Sequence, residues 1–477
     1  MMKVFAGVSK IEITTDKSEV NDPLYAKVIV LKSKSDIIAL ISMDYVSLGG
    51  GISEIDDNFF DELRNELVSN GISCLVCGVT HTHTSFPMCC SQNEVKARII
   101  TAVKQALENM VPVTVGTSSG NNSDFLNNRT LKLSDGTCWS IAQAHPCPPD
   151  DRIAERPYAD DTVGVIRFDK EDGSPLCILF TFGCHPLNGY ANDLPTANYP
   201  GIAENLVENN TGAMAMMFQS CGGDVSEIDY KNYDHPKSCF NHGISLGNTV
   251  IDVIKNIKTE NVDICFARKE IYLPLRNDFE KVRKIYTDRR DKIVEDMRGC
   301  PLNFKSFLPL YMKYLVSPDY PLGYKYEYMR EEELGKENLK KQDEINRRNI
   351  KKYLKNLEAM EELSRISSIL RVLYNHETRN KLLNVDEMKT EVVGIKIGDT
   401  VLITAPVEPL SEIGPAVRKL SSFKNTFVVG YANGFMHYGA LPETYNNGGY
   451  ETIECMLSEK WYDIYKDAVN QIMSELK

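Results

Sequence analysis

Short apolar runs alternate with stretches of helical spacing through the first half of the chain. Runs of about four to eight apolar and β-branched residues, bounded by polar or turn residues, predict strands. In this half, strands are predicted over residues 26–31, 37–43, 74–79, 163–168, 176–182 and 213–218. Strands that alternate with helices in this way are typical of an α/β domain.

Two amphipathic helices are predicted between these strands. Ser53 is placed to cap the first, which carries Phe59 and Leu63 on its apolar face, and Gly71 is placed to end it. The second is predicted over residues 94–110, where apolar side chains recur at helical spacing.

Residues 277–385 differ in character because they are dense in lysine, arginine and glutamate. Helical spacing is clear over residues 291–298 and 331–373, with prolines between them. This pattern predicts a helical insertion with a solvated, charged face. A partner-binding arm is the less favoured alternative, because charge runs usually mark exposed surface.

Strand patterns resume over residues 392–397, 401–405 and 426–431. The sequence therefore predicts a single α/β domain over residues 1–477, in which a mixed sheet core is covered by helices. The charged helical insertion, residues 277–385, lies in its second half.

Composition narrows the class of protein. With 42% hydrophobic and 25% charged residues, the 477-residue chain is typical of globular proteins. A net charge of −12 argues against nucleic acid or an anionic membrane as a standing partner. No apolar run approaches the ~18 residues of a membrane span, and no signal peptide is visible. Thirteen scattered cysteines then favour reduced thiols in a cytoplasmic protein. The oligomeric state stays open.

Four polar clusters follow directly on predicted strands; they contain His81 with His83, His185, Glu408, and Tyr438. Loops beyond the carboxyl ends of strands converge in an open α/β sheet, so these residues can meet. In a regular strand, the two histidines of the first cluster would share one face. Imidazoles, a carboxylate and a phenol oxygen form a set suited to zinc. Each residue alone also has an ordinary explanation, such as a helix-start carboxylate for Glu408.

Six motifs in this order resemble those of the neutral/alkaline (non-lysosomal) ceramidases. They are His81-Thr-His83-Thr, Asn128-Arg129-Thr130, Gly223-Asp224-Val225-Ser226, Pro406-Val407-Glu408, the segment from Tyr431 to Tyr438, and the run from Pro442 to Tyr450-Glu451. No single motif is specific, but their shared order and spacing span the catalytic domain of that family.

The resemblance implies a zinc site and a set of residues around it. One Zn²⁺ ion would be held by His81, His185, Glu408 and Tyr438. The groups around the scissile carbonyl would be His83, Arg129 and Tyr450, with Ser226 beside the metal. Zinc-bound water, with a pKa lowered toward ~7, would attack the carbonyl carbon of an N-acyl amide.

Two details of this implied site stay open. Ser226 could be a nucleophile or could orient water or substrate; zinc-bound water is favoured because no base is assigned to Ser226. Asp224 and Asp44 are candidates to orient a ligand histidine. His437 is expected to point away from the metal.

The substrate is less defined than the metal chemistry. Glu227 stands where the family has proline, and residues 85–87 read Ser-Phe-Pro in place of a glycine-rich stretch. The chain ends at Lys477, before the C-terminal β-sandwich domain of secreted ceramidases. The implied substrate is an N-acyl amide, either a ceramide-like sphingolipid or a soluble N-acyl compound. The alternatives are a zinc-dependent esterase or lactonase acting on a small carbonyl substrate, and a non-catalytic relative that binds a ligand or partner.

Other histidines and cysteines have ordinary interpretations. His145, His235, His242 and His376 lie in polar or loop-like contexts and are interpreted as surface or core-edge residues. The adjacent pair at positions 89 and 90 is interpreted as pocket lining.

Overall fold

The computed structural model describes residues 3–14, 19–85, 90–141, 147–190, 192, 194–227, 238–445 and 448–477. Phe86, Pro87, Cys89, His145 and His235 lie outside the described residues. The chain divides into two compact units. One is Met1–Asn277 together with Thr378–Lys477, and the other is Asp278–Glu377.

Strands and helices follow one another along the whole chain. The strands are β1 (Val4–Glu12), β2 (Tyr25–Ser33), β3 (Asp36–Met43), β4 (Cys74–Val79), β5 (Val111–Asn121), β6 (Asn127–Asn128), β7 (Thr130–Leu133), β8 (Cys138–Ser140), β9 (Ile153–Glu155), β10 (Thr162–Lys170), β11 (Pro175–Phe182), β12 (Met214–Gln219), β13 (Val225–Ser226), β14 (Ile264–Pro274), β15 (Glu387–Ile397), β16 (Thr400–Thr404), β17 (Glu408–Pro409), β18 (Asn425–Val429) and β19 (Tyr438–Gly439). The helices are α1 (Phe59–Ser69), α2 (Gln92–Glu108), α3 (Asn198–Thr211), α4 (Cys239–Ile254), α5 (Phe279–Asp296), α6 (Phe304–Val316), α7 (Lys325–Glu333), α8 (Asn338–Leu383), α9 (Ile413–Leu420), α10 (Pro442–Tyr445), α11 (Tyr450–Glu454) and α12 (Trp461–Glu475).

Two sheets form the body of the larger unit. Among the described residues, eight strands pair in the order β12-β11-β10-β5-β1-β2-β3-β4, and four pair in the order β14-β15-β16-β18. The β3–β4, β11–β12 and β16–β18 neighbours are parallel, and the other neighbours in these two sheets are antiparallel. The predicted α/β class with a mixed sheet is confirmed, and each predicted strand overlaps an observed one.

Side chains of the central strands alternate between two buried faces. Along β2, Val28 and Val30 pack in the core beneath α1 and α2, whereas Ile29 and Leu31 pack in a core shared with the second sheet. Helices α3 and α4 cover the β10–β12 end of the first face, and α9 and α12 cover the second sheet from outside. The layers therefore run helix, sheet, sheet, helix, and strands buried on both faces read as continuous apolar runs.

The first helix begins later than its sequence signal indicated. The predicted cap, Ser53, is wrong: its hydroxyl donates to Ser47 O in a preceding bend, and Asn58 is the N-cap of α1. The hydrogen bond from Phe59 N to Asp56 O forms a turn directly before α1, so the helix starts after it. Helix α2 starts two residues before the predicted position 94, because Ser91 forms a capping box there.

The second unit, Asp278–Glu377, consists of helices α5, α6 and α7 and most of α8, joined by turns and irregular segments. Phe307 and Tyr314 of α6 pack against Ile350 of α8. Buried Asp343 of α8 accepts hydrogen bonds of 2.8 Å from Tyr314 Oη and from Tyr328 Oη of α7. As a domain boundary, the span 277–385 stays a prediction. None of the helices formed by the described residues combines the length and the apolar character needed to cross a membrane.

Candidate metal centre

Gln219 links the segments that follow β4 and β11 of the eight-stranded sheet. At the end of β12, its buried side chain donates to Thr80 O (3.2 Å) and Cys184 O (2.7 Å) and accepts from Cys184 N (3.2 Å). Thr80 follows β4, and β4 and β12 are the two ends of the strand order and contact one another. The next residues along the chain, His81 and His185, are brought together by this side chain.

A glycine allows the His185 segment to approach the segment that precedes Ser226. A Cβ added to Gly222 would lie 2.6 Å from Cys184 N and 2.7 Å from Gly183 C, both backbone atoms. The close approach pairs His185 with Ser226 in a parallel bridge. Any side chain at position 222 would separate the two segments.

Glu408 and Tyr438 reach the same place from the second sheet. β16 leads to Glu408 and β18 leads to Tyr438, and the two residues pair in parallel register as β17 and β19. The segment between β18 and β19 docks on β4 through Asn433, whose Oδ1 accepts from Cys77 N at 2.9 Å.

Left-handed backbone is concentrated in these loops. The φ angles are 61° at His81, 54° at Tyr431, 60° at Asn433 and 55° at His437. Such conformations cost about 1 kcal/mol or more in residues other than glycine, and they cluster at functional sites. The expectation that strand alternation aligns His81 with His83 is therefore wrong. β4 ends at Val79, and a turn brings the two Nε2 atoms to 3.2 Å.

Three imidazoles and a carboxylate converge at the centre. The ligand-type nitrogens of His81, His83 and His185 lie within 4.8 Å of one another. Glu408 Oε2 lies 3.0 Å from His185 Nε2 and 3.3 Å from His81 Nε2. His81, His185 and Glu408 are buried, whereas His83 is partly exposed and forms the open side.

Backbone carbonyls orient two of the imidazoles. His81 Nδ1 lies 2.5 Å from Val46 O, and His185 Nδ1 lies 2.7 Å from Gly222 O. A carbonyl oxygen only accepts, so each Nδ1 carries a hydrogen and each Nε2 is left for a ligand. Burial, with Arg129 nearby, lowers the pKa of His185 to about 4, so this ring is neutral at pH 7.

The carboxylate completes a donor set that fits a divalent cation. Burial alone would raise the pKa of Glu408, but contacts with His81 and His185 hold it well below its usual range. An ionised carboxylate oxygen therefore shares a small buried space with two imidazole nitrogens. This combination of nitrogen and oxygen donors suits zinc.

A second network adjoins the centre through Arg129. Arg129 Nη2 donates to Tyr438 Oη, and Nε donates to Glu451 Oε1, each at 2.8 Å. Glu451 Oε2 accepts from Ser140 Oγ at 2.8 Å, and Ser140 Oγ accepts from Tyr450 N at 2.8 Å. Buried Glu451 thus connects Arg129 to the start of the helix that carries Tyr450.

The residues implied by the resemblance lie in adjoining positions. The Tyr438 ring is 6.3 Å from the His185 ring and 6.0 Å from the Tyr450 ring. Ser226 pairs with His185, and its buried Oγ has no hydrogen-bond partner in the described part of the chain. A nucleophilic serine needs a base within reach, and the described residues provide none for Ser226. His437 points away, toward Gly50 O at 2.9 Å.

Two carboxylates expected to orient a ligand histidine do not do so. Asp224 accepts a hydrogen bond from the Asn128 side chain, and Asp44 accepts one from the backbone of β2. Neither bonds to a histidine among the described residues. The carbonyls of Val46 and Gly222 orient the histidines instead by accepting a hydrogen bond from each Nδ1. A backbone acceptor leaves no signal in the pattern of side chains.

Three buried residues of the site were not predicted: Gln219, Tyr431 and Glu451. Gln219 carried a usable signal, since it is a polar residue at the end of an apolar strand. Glu451 lies in the motif that ends in Tyr450-Glu451, but only Tyr450 was predicted to act in the site. The Tyr431 ring lies 4.3 Å from the His81 ring, and its buried Oη has no partner among the described residues.

Next to the centre, one lysine faces two buried carboxylates. Lys27 Nζ lies 2.6 Å from Glu204 Oε2 and forms an ion pair with it. Asp44 is the second carboxyl group near this lysine, so one positive charge serves two buried acids. Burial, together with the charge on Glu204, raises the pKa of Asp44 to about 7. Between pH 4 and 7 the folded protein therefore binds a proton at Asp44 that the unfolded chain has released.

The contribution of Asp44 to stability is expected to fall as pH rises from about 4 to 7, by up to ~1.4 kcal/mol per pH unit, because the folded state keeps its proton there. Asp44→Asn should make the slope of stability against pH shallower, since the amide is neutral throughout. The remaining slope comes from other buried carboxyls such as Asp224 and Glu227, whose pKa values burial raises to about 6 and about 7. Urea denaturation at several pH values measures the effect, with exposed Asp263→Asn as the control. An unchanged slope in Asp44→Asn would contradict the assignment.

Comparison with known proteins identifies the fold. The crystal structure of neutral ceramidase from Pseudomonas aeruginosa matches with a TM-score of 0.61 and 13% sequence identity, over 100% of this chain and 75% of that chain. A ceramidase complexed with C2 matches with a TM-score of 0.61 and 12% identity, over the same shares. No protein-family model matches the sequence, and no curated protein matches it. The fold expected from the motifs is confirmed.

Proposed function

From the premise that this chain has the fold of the neutral ceramidases, we propose that it is a zinc-dependent hydrolase that cleaves an N-acyl amide bond. One observation carries the proposal. The Nε2 atoms of His81 and His185 face one oxygen of Glu408 at 3.3 and 3.0 Å, while both Nδ1 atoms lie against carbonyls. A cation between these three atoms satisfies them together. Tyr438 is proposed as the fourth ligand.

The chain's own residues would bind the substrate and move protons. Bound zinc supplies a nucleophile at neutral pH by lowering the pKa of a water ligand, and it polarises a carbonyl oxygen. Desolvation and the neighbouring His81 lower the pKa of His83, so its neutral ring at the open side can accept a proton. Arg129 and Tyr450 would donate hydrogen bonds to the carbonyl oxygen as negative charge develops there. Ser226 would orient water or substrate.

Glu227 is the residue that supports a second candidate substrate class, esters and lactones. This buried carboxylate accepts from Leu187 N at 2.6 Å, while its Oε2 has no hydrogen-bond partner in the described part of the chain. It follows Ser226, at a position where the resemblance leads one to expect proline. A polar acceptor there changes the surroundings of the substrate, so an ester or lactone of a small carbonyl compound is the second candidate.

Metal analysis tests the first half of the proposal. The purified protein is expected to hold about one zinc ion per chain, and His81→Ala is expected to lose it. His242→Ala is the matched control, because His242 stacks on Phe125 at 4.6 Å and lies outside the centre. Absence of zinc from the parent, even after reloading, would refute the metal assignment.

A substrate panel tests the second half. Zinc-loaded protein is assayed with ceramides of short and long acyl chain, soluble N-acyl compounds, and matched esters and lactones. Amide turnover above ester turnover supports the proposal. Ester turnover in excess favours the second candidate, and binding without turnover of any substrate favours a non-catalytic relative.

A further inference from the structure

Helix α6 carries an exposed apolar face that the proposed hydrolysis does not use. The helix is apolar around most of its circumference, and one side packs inward through Phe307 and Tyr314. On the other side, five apolar side chains have exposed fractions between 44% and 79%: Phe304, Leu308, Met312, Leu315 and Val316.

The exposed side chains form a continuous stripe. Positions 304, 308, 312 and 315 follow helical spacing, so successive side chains are neighbours along a length of ~17 Å. A helix that is apolar on both sides needs a second contact besides its own core. Contiguous apolar surface of this kind marks a contact with a protein or a membrane.

Charge and aromatic residues near the stripe distinguish these two partners. Helix α6 contains Lys305 and Lys313 and no acidic residue, in a chain whose net charge is −12. Phe304 adds an exposed aromatic ring to the stripe. Aliphatic, aromatic and cationic side chains together are typical of helices that lie in a membrane interface. Helix α6 is therefore a local exception to the net negative charge that disfavours anionic membranes as partners.

We propose that the α6 stripe docks on an anionic phospholipid bilayer. The apolar side chains would enter the boundary between headgroups and acyl chains, and Lys305 and Lys313 would contact the headgroups. A symmetric contact with a second copy is disfavoured because it would bring the same lysines of both chains together. The proposal is independent of the proposed hydrolysis, since membrane binding needs no turnover.

Vesicle cosedimentation of the full chain tests the proposal. The parent is expected to sediment with vesicles that contain phosphatidylserine, more than with phosphatidylcholine vesicles. Leu308→Asp/Met312→Asp is expected to lower partitioning at least ~10-fold on both. Lys305→Glu/Lys313→Glu should lower it at least ~10-fold on the anionic vesicles alone. Val68→Asp, at a similarly exposed valine of α1, is the control and should bind as the parent does.

Three outcomes would overturn the proposal. The first is a parent that does not sediment with anionic vesicles. The second is a Leu308→Asp/Met312→Asp variant that sediments as the parent does; both positions are exposed, so this variant is expected to fold, and thermal denaturation checks it. The third is a parent dimer, seen by light scattering, that this variant converts to a monomer, since that result assigns the stripe to a contact between copies.

Discussion

A Glu408→Gln variant is expected to bind zinc at least ~100-fold more weakly than the parent. Removing a residue that only supports a metal ligand costs ~10–100-fold in affinity, and Glu408 is itself a proposed ligand. Glu408 Oε2 lies 3.0 Å from His185 Nε2 and is the anion of the centre. Glutamine offers that space either a neutral oxygen or an N–H group, and an N–H group opposes a cation. Zinc titration in chelator-buffered solutions measures the affinity.

The stability of the same variant reports zinc binding without any measurement of activity. Zinc at 1,000 times the parent's dissociation constant should add ~4 kcal/mol to the unfolding free energy of the parent, and at most ~1.4 kcal/mol to that of Glu408→Gln at the same concentration. Glu412→Gln is the matched control, because its carboxylate accepts from Leu441 N at 2.9 Å and Thr444 Oγ1 at 2.8 Å. Parent-like zinc affinity in Glu408→Gln would contradict the proposed centre.

Burial patterns made part of this architecture predictable. Strands such as β3 and β4 are buried on both faces, so their apolar runs stand out from the polar residues that follow them. The same contrast marks His81, His185 and Glu408 as strand-end residues. Their convergence follows from a general rule about the carboxyl ends of strands.

The remaining features depend on contacts between distant segments. An apolar run has the same pattern whether its second face meets a helix or another sheet. The sequence therefore could not show that β14, β15, β16 and β18 form a second sheet separate from the eight-stranded one. Two further features exist only in the folded chain: the hydrogen bonds from the Gln219 side chain to Thr80 and Cys184, and the contact of His81 with the carbonyl of Val46. In the helical unit, the abundance of charged residues obscured the apolar stripe of α6, because a regional average conceals a single helix.

A Glu451→Leu variant is expected to lose ~3–5 kcal/mol of unfolding free energy, because it leaves the buried Arg129 guanidinium without its anion. The two groups lie 2.8 Å apart, and both are buried. Turnover should fall as well, since Arg129 would no longer be held against Tyr438. Zinc content should remain that of the parent, because Glu451 contacts neither Glu408 nor a histidine of the centre among the described residues. Urea denaturation, kinetics and elemental analysis measure the three quantities.

The Arg129→Met/Glu451→Leu double variant is expected to be more stable than Glu451→Leu alone, because it removes the unpaired charge with its partner. Its turnover should nevertheless stay as low as that of Arg129→Met, since the proposed donor to the substrate carbonyl is gone. Ser140→Ala is the control for a neutral hydrogen bond to Glu451 and should cost ~1 kcal/mol. A double variant less stable than either single variant would show that Arg129 supports the fold through Gly223 O and Tyr438 Oη, its other acceptors at 2.8 Å, more than through the ion pair.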